Sequence, residues 1–208
     1  MLHAQNENIR QLLFKGNFGL EKESLRVDRD GFLAHTDHPF PEDDFIVRDF
    51  CENQTEINTP VAETPHEVVR WLDYYYRKIQ QELASLAEPE YLWPFSNPPY
   101  IRNENDIPIA NFKGKEVSKT KYREYLSARY GRYRMTFSGI HFNYSFGEDL
   151  LQADFALSGE TDFGEYKNKL YVTLAEQAVA YGWLIVAVTA ASPLMDSSFV
   201  EKGRFDED

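Results

Sequence analysis

The sequence predicts a mixed fold of the α+β class. Residue types alternate in "GLEKESLRV" (19–27) and in "MTFSGIHFNYSF" (135–146), which is the two-residue period of a β-strand. Between 68 and 86, apolar residues instead recur every three or four positions, which is the period of an amphipathic helix. A long uncharged stretch near the C-terminus predicts a further helix. Strands and helices of this kind together indicate a sheet that packs against helices.

Composition and charge describe an acidic, globular chain. Of its 208 residues, 42% are hydrophobic and 15% are aromatic, which is enough to form a core. The formal net charge of −12 argues against a protein that binds nucleic acid or an anionic membrane surface, because both need a basic face. Cys51 is the only cysteine, so no disulfide can form within the chain, and the N-terminus lacks a signal-peptide pattern. A cytoplasmic location is therefore expected.

The first part of the chain predicts short elements. In order, they are a helix (6–15), a hairpin with arms 19–27 and 31–36, and a β segment (45–51) that continues through 52–60. Asp28 to Gly31 supply the turn residues of the hairpin, and Pro60 ends the β pattern.

The remaining elements follow from helix signals and breakers. They are a long helix that is capped by Thr64 and stops at Pro89, an aromatic loop (91–101), a helix (119–130), a strand (135–146), a loop (147–164) and an apolar helix (165–191). Three prolines exclude a regular helix or a central strand from the aromatic loop. Ala178 to Ala191 is uncharged but short for a membrane span and lacks basic flanks, so we expect a buried core helix there.

Glu21 and Glu23 are the first candidate functional residues. In an extended strand they point to the same face, and two close carboxylates beside Leu25 and Val27 favour a bound cation. An exposed edge strand with alternating charges would give the same letters. Further acidic residues, Asp49, Glu52 and Glu56, occur in the next β segment.

Two later segments carry further candidates. His141 lies on the face of its strand opposite the aromatic row, where it could be a metal ligand or a hydrogen-bonded structural residue. The helix 119–130 presents Tyr122 and Arg123, which either form surface ion pairs or bind anionic substrate groups.

Five stretches of the sequence resemble the glutamate–cysteine ligase family in matching order: "GLEKESLRV", "DFCENQTEINTP", "YLWPFSNPPYI", "KTKYREYLSARYG" and "FSGIHFNYSF". The resemblance covers nearly the whole chain. It implies a glutamine synthetase-like fold, with a curved, largely antiparallel sheet that holds metals and substrates and is backed by helices. It also implies the first step of glutathione biosynthesis, an ATP-dependent joining of the glutamate side-chain carboxylate to the cysteine amine through an acyl phosphate.

The same resemblance implies roles for individual residues. The implied ligands for Mg²⁺ or Mn²⁺ are Glu21, Glu23, Asp49, Glu56 and His141. Phe50, Tyr122 and Arg123 match positions that line the amino-acid pocket, and Arg123 is also expected to be catalytic. Metal ions suit the reaction because transfer of a phosphoryl group to a carboxylate brings like charges together, and Mg²⁺ prefers oxygen ligands.

Ligase modules of the family are several hundred residues long. Residues 1–208 are therefore expected to be the N-terminal part of a catalytic domain. We expect this part alone to be inactive. The expected partners are glutamate, cysteine and ATP, with no nucleic acid and no membrane, and a C-terminal glutathione synthetase domain is an expected fusion partner. No Walker-type Gly-x-x-x-x-Gly-Lys motif is present to supply a separate nucleotide site.

Two other functions fit the same residues. A metal-dependent phosphohydrolase would also use clustered Glu, Asp and His side chains. A metal-binding module without turnover is the second alternative.

Overall fold

The computed structural model describes residues 2–41, 43–190 and 194–199. Within these residues the strands are β1 (Gly16–Val27), β2 (Ile46–Arg48), β3 (Gln54–Asn58), β4 (Tyr91–Leu92) and β5 (Ile140–Phe146). The helices are α1 (Glu7–Leu12), α2 (Pro65–Ser85), α3 (Val117–Tyr130), α4 (Glu148–Ser158) and α5 (Phe163–Thr189), joined by loops and short 3₁₀ turns.

Strand β1 organises the sheet. It pairs antiparallel with β3 and with β5, and its C-terminal end pairs with the short strand β4 in the aromatic loop. Strand β2 extends the sheet beyond β3, again antiparallel. All of these pairings among the described residues are antiparallel, so the predicted α+β class with an antiparallel sheet is confirmed.

Helix α2 covers one face of this sheet. Thr64 caps the helix by accepting a hydrogen bond from the Glu67 N–H, and Pro65 begins it, as the sequence predicts. Its buried stripe packs against Ile46 of β2 and Ile57 of β3. Because side chains alternate along a strand, Glu56 points to the opposite face from Ile57. The helix therefore leaves the acidic face of the sheet uncovered.

The predicted hairpin is present only around its turn. The Asp28 carboxylate accepts hydrogen bonds from the backbone N–H groups of Asp30 and Phe32, and Gly31 adopts φ +86°, which a glycine tolerates. The second arm is reduced to a single bridge between Val27 and Leu33. The prediction of a strand over 31–36 is therefore wrong.

Two predictions in the second half of the chain are also wrong. The segment 147–164 contains helix α4 rather than a continuous loop. Strand β5 begins at Ile140, because the residues from Tyr133 to Thr136 form a 3₁₀ turn instead. Its apolar row is only half buried, since Tyr144 and Phe146 pack in a core while Ile140 and Phe142 are exposed.

Helix α5 matches the predicted apolar helix but not its predicted burial. Tyr166 and Leu170 are buried near its N-terminus, whereas Val179 is 84% exposed. The expectation of a buried core helix is wrong for residues 178–190, and Ala191 lies outside the described residues. By length and composition, α5 is also apolar enough to cross a membrane. A sequence shows that a segment is apolar, but it does not show which other segment covers it.

Candidate active site

The uncovered face of the sheet gathers acidic side chains from neighbouring strands. Glu23 of β1 lies directly opposite Glu56 of β3, and Glu21 lies two residues before Glu23 on the same face. Asp49 follows β2, and its negative charge acts on both Glu23 and Glu56. The structure thus brings together the four carboxylates that the family resemblance implies as metal ligands.

Glu23 is the buried member of this group. One of its carboxylate oxygens accepts a hydrogen bond from the Gly139 N–H (2.8 Å) and another from the Gln54 side chain (3.4 Å). Burial nevertheless raises the pKa of Glu23, and the nearby charge of Asp49 raises it further. The chain approaches closely here, since a Cβ on Gly139 would lie 2.9 Å from the His141 ring.

Glu21 is held by the strand on its other side. The Nδ1 atom of His141 lies 2.9 Å from one oxygen of Glu21, and the Asn143 amide donates to the other oxygen at 2.9 Å. The hydrogen bond with His141 lowers the pKa of Glu21, and the same bond raises the pKa of His141. His141 Nε2 also lies 3.8 Å from a Glu23 oxygen, so His141 lies beside the acidic group, and its role as a metal ligand stays a prediction.

Glu56 differs because its carboxylate has no hydrogen bond or ion pair among the described residues. It is half buried, and burial raises its pKa to about 7, with the charges of Asp49, Glu23 and Glu21 adding to the effect. The charged form of a carboxylate held without a partner among like charges is destabilised unless the group takes up a proton or a cation binds. This residue therefore carries the strongest indication of a ligand.

Arg123 brings the opposite charge to the same cavity. Its Nε donates to the Asp49 backbone carbonyl and its Nη1 to the Lys119 carbonyl at 3.0 Å. Burial lowers its pKa, whereas the charges of Asp49 and Glu56 raise it. Arg123 and Glu56 both line a cavity of about 590 Å³ between α3 and the sheet. A second cavity of about 620 Å³ lies on the other side of Glu56 and reaches Glu21 and Asn143.

The other two predicted substrate residues lie elsewhere. Tyr122 is 60% exposed on α3 and does not line either of these cavities. Phe50 is 4% exposed and packs in the core with Leu25 and Cys51. Their roles in substrate binding stay predictions.

Several residues of the site carry no local signal in the sequence. Gly139, Gln54 and Asn143 hold the carboxylates through contacts that are distant along the chain. Glu52 is explained differently, because it accepts two hydrogen bonds from Arg48 and one each from the His38 and Asn111 N–H groups. Glu52 is therefore engaged within the protein rather than available to a cation.

The donor set suits a hard divalent cation, although the donors are spread along the face. No three His, Cys, Asp or Glu side chains of the described ranges converge closely enough to enclose a metal ion. The unpartnered Glu56, the buried Glu23 and Asp49 have carboxylate oxygens and excess negative charge, which is the type of environment that Mg²⁺ and Mn²⁺ prefer.

A family model for glutamate–cysteine ligase matches residues 1–207. The chain belongs to the glutamate–cysteine ligase family. Among the relatives in this family, the glutathione biosynthesis bifunctional protein GshAB of Listeria monocytogenes is 41% identical over 203 residues, covering 94% of this chain and 26% of the relative. The GshAB protein of Clostridium perfringens is 38% identical over 204 residues, covering 95% of this chain and 26% of the relative. The chain spans about a quarter of the length of these relatives.

Solved structures of the family have the same fold. A bifunctional glutathione synthetase from Pasteurella multocida superposes with a TM-score of 0.84 at 35% identity, covering 98% of this chain and 27% of that chain. A glutamate–cysteine ligase from Francisella tularensis, solved in complex with AMP, superposes with a TM-score of 0.75 at 28% identity, covering 88% of this chain and 36% of that chain. The ligase-type fold predicted from the resemblance is confirmed.

Proposed function

We propose that this chain is the N-terminal part of the catalytic domain of a glutamate–cysteine ligase. The complete enzyme transfers the γ-phosphoryl group of ATP to the side-chain carboxylate of glutamate, and ADP leaves. The neutral amine of cysteine then attacks the acyl carbon, phosphate leaves, and the amine loses its extra proton. The product is γ-glutamylcysteine, the first intermediate of glutathione biosynthesis.

The observation that best supports this proposal is that one cavity contains two opposite charges, Glu56 and Arg123, neither of which forms an ion pair among the described residues. Glu56 has no hydrogen bond or ion pair in the described part of the chain, and Arg123 has no carboxylate partner there. Both line the same space of about 590 Å³. A site with a carboxylate and a guanidinium that are not neutralised by ion pairs is suited to a cation on one side and an anionic amino-acid substrate on the other.

The acidic group gives the proposed place for Mg²⁺ or Mn²⁺. Glu21, Glu23, Asp49, Glu56 and His141 would hold the metal, which neutralises the charges of phosphate and carboxylate when it is bound. His141 would have to give up its hydrogen bond with Glu21 or bind through Nε2. Gly139 and Asn143 orient the two carboxylates of β1.

Arg123 is the proposed substrate residue and catalytic residue of this part of the site. Its guanidinium would bind a carboxylate of an amino-acid substrate, with Phe50 and Tyr122 as the other proposed members of the pocket. ATP is the proposed co-substrate, and the AMP complex of the Francisella relative supports a nucleotide site in the family.

The length of the relatives supports a larger enzyme around this chain. We expect the uncovered apolar surface of α5 to pack against segments of the longer ligases rather than against lipid, since the chain covers only 26% of such a relative.

The bifunctional names of the relatives support fusion to a C-terminal glutathione synthetase domain. A cytoplasmic location follows from this role, and the chain alone is expected to be inactive.

An acceptor-dependence assay tests the proposal on the complete enzyme. ADP release is measured with ATP and Mg²⁺, with glutamate alone, with cysteine alone and with both. A ligase gives sustained ADP release and γ-glutamylcysteine only with both amino acids. Release that ignores the amine acceptor would identify a phosphohydrolase, and the absence of release in every mixture would leave a metal-binding module.

A further inference from the structure

The ring of Phe112 attracts three cationic side chains in a chain that is otherwise strongly acidic. The guanidinium carbons of Arg48 and Arg123 lie 4.4 and 4.8 Å from the ring centroid, and the Lys119 ammonium lies 5.2 Å from it. Phe112 is only 7% exposed, and its ring lines the cavity that contains Glu56. Cations at these distances are attracted by the electron-rich face of the ring, most strongly where water is excluded.

Two of the three cations are neutralised by their own carboxylates. Arg48 bonds both oxygens of Glu52 at 2.9 Å, and Lys119 pairs with Glu116. Arg123 forms no ion pair within the described residues, and its hydrogen bonds go to backbone carbonyl groups. The ring therefore gives Arg123 an aromatic partner without neutralising its charge.

The backbone that carries the ring is anchored to two other parts of the fold. The Phe112 N–H donates to the Thr120 hydroxyl of α3 at 2.7 Å. The preceding residue, Asn111, donates its N–H to Glu52 at 3.0 Å and accepts a bond from Arg48 at 3.2 Å. Phe112 thus occupies a set position between the helix that carries Arg123 and the loop that follows β2.

We propose that Phe112 is a positioning residue, which keeps the Arg123 guanidinium available to an amino-acid substrate. The inference rests on the proposed ligase function. Arg123 and Glu56 are opposite charges in one cavity, so an unrestrained Arg123 would approach Glu56 or Asp49 and occupy the acidic group that is needed for the cation. The ring and the two carbonyl groups hold Arg123 back from that contact.

The test uses three variants of the complete enzyme. Phe112→Leu removes the ring at similar bulk, and Phe112→Tyr retains an aromatic face. Phe32→Leu is the matched control, because the Arg102 guanidinium lies 4.8 Å from the Phe32 ring, the same distance as in the Arg123 and Phe112 pair. Phe32 lines neither cavity that borders Glu56.

Steady-state kinetics give the first measurement. Phe112→Leu is expected to raise KM for one amino-acid substrate about tenfold, which corresponds to about 1.4 kcal/mol, and to leave KM for ATP within about twofold. Phe112→Tyr and Phe32→Leu are expected to stay within about twofold of the wild type for all substrates. Equal increases of every KM with Phe112→Leu, together with a lower melting temperature, would overturn the proposal.

The rate of Arg123 modification by phenylglyoxal, followed by peptide mass spectrometry, gives a second measurement that needs no activity. An ion-paired guanidinium reacts slowly, so Phe112→Leu, which lets Arg123 pair with Glu56 or Asp49, should slow modification of Arg123 severalfold, whereas Phe112→Tyr should not. Equal Arg123 rates in the wild type and Phe112→Leu would overturn the positioning role. A wild type that fails the acceptor-dependence assay would instead contradict the proposed function, and the modification rates would still test the positioning.

Discussion

Strand β1 carries two charged clusters only three residues apart, and they are built in opposite ways. Arg26 is 0% exposed, and its guanidinium donates to Glu90 at 2.6 Å and to both the hydroxyl and the carbonyl of Thr36. Glu23 is also buried, but its neighbours Glu56 and Asp49 have the same charge. One cluster is compensated within the protein, whereas the other holds several carboxylates, and their negative charges raise the pKa of Glu23 and Glu56.

The difference separates charges that stabilise the fold from charges that are kept for a ligand. A buried ion pair with hydrogen bonds is costly to break but gives little reason to expect a function. A group of like charges lowers stability unless something binds, so its presence indicates binding. The Arg26 cluster therefore belongs to the fold, and we propose the Glu23–Glu56–Asp49 cluster as the site.

Breaking the compensated cluster is expected to have the largest effect. Glu90→Ala leaves the Arg26 charge buried without its carboxylate, so the free energy of unfolding should fall by about 3–5 kcal/mol. Urea denaturation of the complete enzyme measures this change. Activity per folded molecule should stay close to that of the wild type, and a loss of less than about 1 kcal/mol would show that Arg26 is not held by Glu90.

Neutralising a carboxylate of the acidic cluster is expected to lower activity without lowering stability. Glu56→Gln or Glu23→Gln should lower kcat at least about a hundredfold, or about 2.7 kcal/mol in the activation barrier, without a loss of stability. The reason is that the change removes a ligand and also relieves repulsion. Glu148→Gln, on the exposed start of α4, is the control. Near-normal turnover of Glu56→Gln at saturating Mg²⁺ would show that the cluster does not bind a cation needed for catalysis.

Substitution of the cation that faces this cluster should give a smaller and more selective effect. Arg123→Lys keeps the positive charge but loses the planar pair of donors, so KM for an amino-acid substrate should rise about tenfold while KM for ATP changes little. Initial rates, measured over a range of amino-acid concentrations and over a range of ATP concentrations, give the two KM values. A uniform rise would indicate a general structural defect.

The pH dependence of stability gives the smallest expected effect. Burial raises the pKa of Glu56 from its ordinary value of 4.5 to about 7, so between these two pH values the folded protein binds a proton that the unfolded chain does not. Protonation of Glu56 therefore stabilises the folded state fully below about pH 4.5, and this stabilisation is lost as the pH rises through 7. Without divalent metal, Glu56→Gln should therefore be more stable than the wild type at pH 8, by about 1 kcal/mol after allowance for solvent screening, and equal to it at pH 4.5.

Urea unfolding of the two proteins at both pH values makes this comparison. Addition of Mg²⁺ at pH 8 should reverse the difference, since only the wild type retains the ligand. A difference that does not vary with pH would contradict the uncompensated state of Glu56.

Local patterns predicted the elements whose burial is set by a single periodic face. The stripe of α2, with Val68, Tyr75, Ile79 and Leu83, is buried as predicted. Helix α4 was missed because its inward face includes Asp154, a charged residue at a buried position. Its carboxylate is satisfied by His3 and Tyr166, and His3 is 151 residues away in sequence. No local pattern contains that contact.

The candidate site divides in the same way. Glu21 and Glu23 share a face because the strand period requires it, and the register with β5 brings His141 to Glu21. The support for these side chains from Gly139 and the ring beside Arg123 depends on loops whose paths the sequence does not specify. The acidic side chains that could bind a cation were therefore predictable from the sequence, whereas the groups that hold them in place were not.

The most direct test of the central claim is a Mn²⁺ titration of the complete enzyme, followed by electron paramagnetic resonance, with Glu56→Gln and Glu90→Gln as the two variants. We predict that Glu56→Gln weakens Mn²⁺ binding at least about tenfold and that Glu90→Gln leaves the affinity of the folded protein unchanged. Equal Mn²⁺ affinity in the wild type and Glu56→Gln would contradict it.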